Sequence, residues 1–307
     1  MSNKTMLAID GNSLVNREYY GMPPMSSKDG IHTNAILGFL NKLIKYTDRF
    51  LPDYAAVAFD LPEPTFRHRQ YEGYKASRKG MPDELASQLP YIKEACEIFG
   101  YAVVFEAGYE ADDILGTIAK KASEIKNTKI KTYILTGDKD AFQLVSDEVT
   151  VLYNSNAAVT EFDPPRVTEE YGINPRQLID VKALMGDASD DIPGVKGIGE
   201  KTALGLIRQN GNLDAVYDSL ENGSLRIFPA IKKKLATGKN DAYMSRALAE
   251  IYCEVPIKPD IFVKRKEIDR DKLYDFCKKL ELFSIIKKLN LSFPVAGEQI
   301  QMNFESQ

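Results

Sequence analysis

Through the first 155 residues, short apolar runs alternate with longer amphipathic stretches, the pattern of strands feeding helices in an α/β domain with a mainly parallel sheet. Residues 5–10, 54–60, 102–105, 131–135 and 149–153 read as strands. Ile36, Leu37, Phe39, Leu40, Leu43 and Ile44 recur at helical spacing after Thr33, which is placed to cap their helix. Asp83 is placed to cap a second helix, after Pro82 and ending near Gly100, and residues 111–124 form a third. Beyond about residue 165 the strand signals fade and helices broken by Gly and Pro dominate. The pattern predicts an α/β unit over residues 1–165, a helical unit over 166–292 and a polar, mobile tail over 293–307.

Composition narrows the classes. Of 307 residues, 44% are hydrophobic and 27% charged, which excludes collagen-like and wholly disordered chains. No apolar run approaches the roughly 18 residues of a spanning helix, and the stretch before Met6 lacks the apolar core of a secretory signal, so a cytoplasmic protein without membrane contact is expected. Cys96, Cys253 and Cys277 are too few and too scattered for a disulfide framework or zinc site, and read as small core residues. With only His32 and His68 as imidazoles, carboxylates must organise any chemistry. The net charge of −4 conceals an asymmetry: residues 192–290 carry 19 Lys and Arg against 13 Asp and Glu, or +6, leaving −10 for the rest.

The aspartates are the first informative feature. Residues 6–10, 55–60 and 133–138 each run an apolar segment into an acid, Asp10, Asp60 or Asp138, at the carboxyl end of a strand. In a parallel sheet those ends share the edge where ligands bind. Glu110, Asp112 and Asp113 open a helix, where the positive end of the macrodipole accommodates negative charge. Asp140 follows Asp138 by two residues, and Asp187 and Asp190 occupy a Gly-flanked turn. Each acid alone could be a cap or turn residue. Together they would repel one another unless cations bind. Hard oxygen ligands suit Mg²⁺ or Mn²⁺, and two such ions serve phosphodiester displacement, so phosphoryl chemistry is the leading reading.

Two further segments suit a polyanion. Residues 192–203 include Gly194, Lys196, Gly197, Gly199, Lys201 and Thr202. They superficially resemble a P-loop, but Lys201 falls one residue late and no strand precedes the loop, which disfavours ATP. A tight turn between two helices instead offers backbone N–H groups to a duplex phosphate, and a basic stretch with Lys232, Lys233 and Lys234 follows. Between Leu61 and Pro82, five Lys or Arg, among them Arg67, Lys75 and Arg78, interleave with Tyr71 and Tyr74 and two Glu. That mixture suits single-stranded nucleic acid, with the plainer alternative of a surface helix crossing the sheet edge.

In order along the chain, Ile9-Asp10-Gly11-Asn12-Ser13, Phe59-Asp60, Thr65-Phe66-Arg67, Tyr74-Lys75-Ala76-Ser77-Arg78, Glu110-Ala111-Asp112-Asp113, Thr136-Gly137-Asp138-Lys139-Asp140 and the turn from Gly186 to Gly194 resemble the 5′-nuclease (flap endonuclease) family. The resemblance covers roughly residues 5–290 and is nearest to the 5′-3′ exonuclease domain of bacterial DNA polymerase I and its stand-alone bacterial relatives.

It implies a PIN-like, mainly parallel sheet with a helical arch at about residues 61–95, followed by a helical subdomain with a helix-hairpin-helix element. It implies two-metal hydrolysis at 5′ ends and 5′ flaps of DNA, during replication and repair, by a Mg²⁺-dependent monomer. Asp10, Asp60, Glu110, Asp112 and Asp113 would organise the tighter ion, with Asp113 in the catalytic set, and Asp138, Asp140, Asp187 and Asp190 the second. Lys75 and Arg78 would act on the scissile phosphate, Arg17, Arg67 and Tyr74 would contact the substrate, and the turn from Gly194 to Thr202 would grip duplex and offer carbonyls to K⁺.

One position departs from the pattern: Asp191 stands where asparagine is usual, and an added charge there is expected to alter the metal demand. In the tail, residues 299–304, from Gln299 to Phe304, resemble peptides that dock on a bacterial sliding clamp, which favours a stand-alone protein over part of a polymerase. A branched-DNA binding module without turnover would lack some of the acids, and all are present. A PIN-like ribonuclease is disfavoured by the hairpin segment and the arch.

Overall fold

Met6 to Ile9 are all apolar because the first strand is buried on both faces, Met6 and Ala8 in one core and Leu7 and Ile9 in the other. The computed structural model describes residues 2–155, 158–257 and 260–292. Strands β1 (Ser2–Asp10), β2 (Tyr54–Ala58), β3 (Ala102–Val104), β4 (Thr128–Thr136), β5 (Val149–Asn154) and β6 (Val159–Phe162) form one sheet in the order β3-β2-β1-β4-β5-β6. All neighbours run parallel except β6, which returns antiparallel along β5. Asp10 pairs in register with Ala58, and Ile9 with Leu135, so Asp10, Asp60 and Asp138 emerge on one edge, as expected.

Helix α1 (Gly11–Gly21) starts directly from β1, its first turn capped by Asp10, which accepts from the Ser13 N–H at 2.9 Å. The next helix, α2 (Asn34–Phe50), begins at Thr33 as expected, but the threonine makes no capping bond. Gln88 does that work from a distance: its Oε1 accepts from the N–H groups of Ala35 at 2.9 Å and Ile36 at 3.2 Å. Between β2 and β3 lie three short helices, α3 (Phe66–Gln70), α4 (Asp83–Ala86) and α5 (Leu89–Ile98), with Pro82 rather than Asp83 at the cap position of α4. The segment expected to form an arch therefore holds α3, a turn over residues 71–82, α4 and most of α5, and the helix expected from Asp83 to near Gly100 is split in two at residues 87–88. Helix α6 (Ala111–Glu124) has the expected bounds, and a 3₁₀ helix (Lys139–Leu144) follows β4.

After β6, a strand the periodicity did not predict, the chain is helical: α7 (Pro164–Tyr171), α8 (Gln177–Met185), α9 (Glu200–Asn210), α10 (Leu213–Glu221), α11 (Pro229–Thr237), α12 (Lys239–Ala249), α13 (Arg270–Lys279) and α14 (Phe283–Lys288). Helices α7 to α12 share the core of α6 and one sheet face, through residues such as Leu184, Ala203, Leu206, Val216 and Leu235. Helices α13 and α14 do not join that group. Leu273, Phe276, Leu282 and Ile285 return to the opposite side and join the core of Leu7, Ile9, Phe39 and Ile92, with α13 against α5 and α14 against α2. Cys96 and Cys277 are buried and Cys253 is half-buried, all as free thiols. Among the described residues no helix is long and apolar enough to cross a membrane.

Candidate active site

Two adjoining hollows lie at the carboxyl edge of the sheet. One, of about 500 Å³, is lined by Asp10, Asp60, Glu110, Asp112 and Asp138, with Lys75 and Arg78 above them. The other, of about 600 Å³, contains Asp138, Asp140, Lys182 and Asp187, with Gly199 and Glu200 at the start of α9 on its rim. Asp138 and Gly137 line both.

The first hollow is rigidly built. Asp10 also accepts from the Thr136 hydroxyl at 2.7 Å, and Asp60 accepts from the Ala111 N–H at 2.7 Å, at the amino end of α6. Asn12 fixes the Asp60 backbone by accepting its N–H at 2.9 Å. Asp138 accepts from the Asp140 N–H at 2.8 Å. Burial, with repulsion from Asp60 and Asp138, pushes Asp10 up to about 7 despite its hydrogen bonds. Burial raises Asp60 as well, and burial and the neighbouring Asp138 and Asp10 raise Asp112 far above the ordinary carboxylate range. The Asp112 Oδ1 atom is buried without a hydrogen-bond partner. So many acids facing one cleft, one with an orphaned oxygen, form a set of hard donors suited to a divalent cation.

As they stand, no group of three or more His, Cys, Asp or Glu among the described residues closes into a metal cage. Basic groups lie among the acids instead. Lys75 Nζ donates to Glu110 Oε1 at 2.9 Å, Arg78 bonds to Asp190, and Lys182 bridges Asp140 and Asp187. Although burial opposes it, Lys182 holds Asp187 down at about 2, whereas burial and Asp138 push Asp140 up to about 7. Lys182 is a site residue that reading the sequence missed; its signal is its place on the last turn of α8, five residues before Asp187.

Four expected site residues occupy other places. Asp113 is 0% exposed, and its oxygens accept from Arg67 and from the N–H groups of Glu110 at 3.1 Å and Tyr252 at 2.9 Å, leaving it facing neither hollow. Arg67, expected at the substrate, is 3% exposed and also donates to the carbonyls of Leu248 at 2.8 Å and Glu250 at 2.7 Å. Tyr74, 2% exposed, has no free ring face for a base; its hydroxyl donates to Glu110 at 2.9 Å. Gly194 is buried, and its backbone lies so close to that of Gly186 that a Cβ would fall 2.2 Å from the Gly186 nitrogen. It shapes the turn from inside. Lys196, Gly197, Gly199 and Lys201 are exposed and Thr202 is half-buried at the start of α9. The Gly197 carbonyl, one of those expected to face K⁺, accepts from Lys234 Nζ at 2.9 Å. Arg17 reaches Gly137, where a Cβ would fall 2.8 Å from its guanidinium, and lines a neighbouring groove with Lys42 and Asn154. Asp191 turns from the acids to Ser77, whose N–H and hydroxyl both donate to its Oδ2 at 2.8 Å.

Comparison with known proteins agrees with this architecture. Residues 5–172 match the family described as 5'-3' exonuclease, N-terminal resolvase-like domain, and residues 173–271 match 5'-3' exonuclease, C-terminal SAM fold. The chain is 40% identical over 305 residues to DNA polymerase I of Caldicellulosiruptor bescii, covering 96% of this chain and 35% of that protein. It is 37% identical over 289 residues to DNA polymerase I of Bacillus subtilis, covering 93% and 32%. It therefore spans about a third of the length of these relatives. The T5 D15 protein, co-crystallized with metal ions, shares the fold with a TM-score of 0.65 at 21% identity, over 81% of this chain and 90% of that one. The catalytic core of Rad2 in complex with DNA substrate shares it with a TM-score of 0.60 at 19% identity, over 95% and 92%. With more than half of its length matched to the N-terminal domain and most of its helical part to the C-terminal one, the chain belongs to the 5'-3' exonuclease family.

Proposed function

We propose that the chain hydrolyses phosphodiester bonds at 5′ ends and 5′ flaps of DNA, as in primer and Okazaki-fragment processing, with two divalent ions, Mg²⁺ or in its place Mn²⁺. The observation that carries the reading is the convergence of acids from β1, β2, α6 and β4 on one cleft, with the buried Asp112 Oδ1 left unpartnered. Asp10, Asp60, Glu110 and Asp112 would hold one ion, and Asp138, Asp140, Asp187 and Asp190 the other, in part through water. Bound there, the ions supply an activated water and charge stabilisation for the attacking and leaving oxygens.

The chain's own groups do the rest. Lys75 and Arg78 exchange their carboxylate partners for the scissile phosphate and orient it, while Thr136, Ser13 and the Ala111 N–H keep Asp10 and Asp60 in place. Exposed N–H groups and lysines from Lys196 to Lys201 hold the duplex by its phosphates, with no reading of sequence. The clamp-binding peptide expected at Gln299 to Phe304 lies outside the described residues. The relevant test incubates the protein with an end-labelled 5′-flap duplex, a blunt duplex and single-stranded DNA, in Mg²⁺ and in EDTA at one salt concentration. Mg²⁺-dependent cuts clustered at the flap junction are expected. Junction-selective binding without cleavage in either Mg²⁺ or Mn²⁺ would overturn the reading in favour of a binding module.

A further inference from the structure

Lys75 and Asp191 are non-glycine residues in the left-handed region, with φ of 54° and 55°. They belong to two turns docked on one another, residues 71–79 and 187–192, and an L residue stays in that conformation only where its surroundings enforce it. Here the enforcement is a ladder. The Lys75 N–H donates to the Asp190 carbonyl at 2.9 Å, the Ser77 N–H and hydroxyl both donate to Asp191 Oδ2 at 2.8 Å, and Arg78 Nε donates to the Ser189 carbonyl at 3.2 Å. The other contacts between the turns are charge pairs, Arg78 with Asp190 and Lys75 Nζ 3.6 Å from Asp190 Oδ2, a hydrogen bond from the Tyr74 hydroxyl to Asp190 Oδ2 at 3.3 Å, and apolar packing that groups Tyr71 and Tyr74 with Ile192 but leaves residues 75–78 out.

The ladder and the charge pairs differ in what substrate would do to them. A phosphate and its ions would compete for Lys75, Arg78 and Asp190, so those pairs cannot hold the turns together during a reaction that uses the same groups. The Ser77–Asp191 contact uses none of them. It is oriented by two donors on a single oxygen, and Asp191 lines neither hollow.

We propose that Asp191 and Ser77 are positioning residues, a clip that keeps Lys75 and Arg78 over the acidic cleft when their own ion pairs have been given up to substrate. The proposal rests on the nuclease reading above. It gives Asp191, the one departure in its turn, a role that asparagine can fill in part, since Asn also offers an acceptor oxygen but without the charge.

Two measurements test it. Steady-state cleavage of a 5′-flap duplex in saturating Mg²⁺ compares the unaltered chain with S77A, D191A, D191N and a K75A/R78A variant carrying or lacking D191A. Expected are a kcat about tenfold lower for D191A with KM nearly unchanged, a smaller loss for S77A, substantial recovery in D191N, and no further loss from D191A once both basic residues are gone. Hydrogen exchange on the protein in EDTA supplies a readout apart from activity. The Lys75 and Ser77 amides should be protected in the unaltered chain and exchange about tenfold faster in D191A, with α6 unaffected. Should D191A fail to fold, S77A, which removes one hydroxyl, carries the same comparison. An active unaltered chain whose D191A and S77A variants match it in kcat would overturn the clip alone. So would an equal loss from D191A in the K75A/R78A background, or unprotected Ser77 amides in the unaltered chain. An unaltered chain that cuts no 5′-ended substrate would remove the nuclease reading, and the clip with it.

Discussion

Arg67 lies flat against Asp113, with its two terminal nitrogens 2.8 and 2.7 Å from the two carboxylate oxygens, and both side chains are almost wholly withdrawn from solvent. The same guanidinium holds the carbonyls of Leu248 and Glu250, so one fork ties α3 and α6 to the end of α12. Removing one partner strands a buried charge. R67A and D113A should each lower unfolding free energy by about 3–5 kcal/mol, as read by urea titration in EDTA, where no ion obscures the effect. A loss under about 1 kcal/mol would mean that water reaches and screens the pair.

The acids of the first hollow are expected to trade stability for function. Asp10, pushed up to about 7 by burial and its neighbours, binds its proton more tightly folded than unfolded. Stability of the ion-free protein should therefore fall as pH rises from about 4 through about 7. D10N and D112N should raise the melting temperature in EDTA at pH 8 while abolishing Mg²⁺-dependent cleavage. Added Mg²⁺ should stabilise the unaltered chain more at pH 8 than at pH 6. Thermal scans at the two pH values check both statements, and a D10N protein less stable than the unaltered one at pH 8 would contradict them.

Lys75 is placed to act on phosphate, since its ammonium lies beside Glu110 and Asp190 at the mouth of the first hollow, over the ring of its neighbour Tyr74. K75A should leave the melting temperature within about 2 °C of the unaltered value and lower kcat on a flap substrate by about 10²–10³-fold, with a small change in KM. Single-turnover kinetics separate this from slower product release.

On the helical side, Lys196 and Lys201 are exposed beside the Gly-rich turn. K196A and K201A should each weaken duplex binding to the same extent for unrelated sequences, and reduce the slope of log K against log salt by about 0.9. Fluorescence anisotropy between 50 and 200 mM salt measures this; a slope unchanged in both variants would place the duplex elsewhere.

D191N should leave the Mg²⁺ concentration for half-maximal cleavage unchanged, because the Asp191 carboxylate is engaged by Ser77 and lines neither hollow. A shift of more than about threefold would restore the expectation that its charge bears on metal demand.

Where the chain's own periodicity decides structure, reading it sufficed: α6 has the expected bounds, and Asp10, Asp60 and Asp138 emerge on one sheet edge because three parallel strands end there. What stayed hidden depends on partners far away in sequence. Arg67 and Tyr74 lie in a stretch whose polar composition suggested a surface, and their burial is offset by Asp113 and Glu110, some 36 to 46 residues later, and for Arg67 by the still more distant carbonyls of Leu248 and Glu250. Gln88 caps α2 across a separation of 53 residues, a bond no local cap rule would find. Strand β6 is four residues long, of which only Phe162 is buried, too short a pattern to stand out from a loop.

Helices α13 and α14 bear on how this molecule is made. The helix layer over the sheet face of Leu7 and Ile9, with Phe39 of α2 and Ile92 of α5, is completed by Leu273, Phe276, Leu282 and Ile285, near the far end of the described chain. During synthesis, the segment that carries every cleft acid emerges long before the helices that complete one side of its core. Until residue 285 has left the ribosome the outer sides of α2 and α5 stay open to water and to other chains, so the order of translation leaves that layer of the α/β unit waiting on α13 and α14.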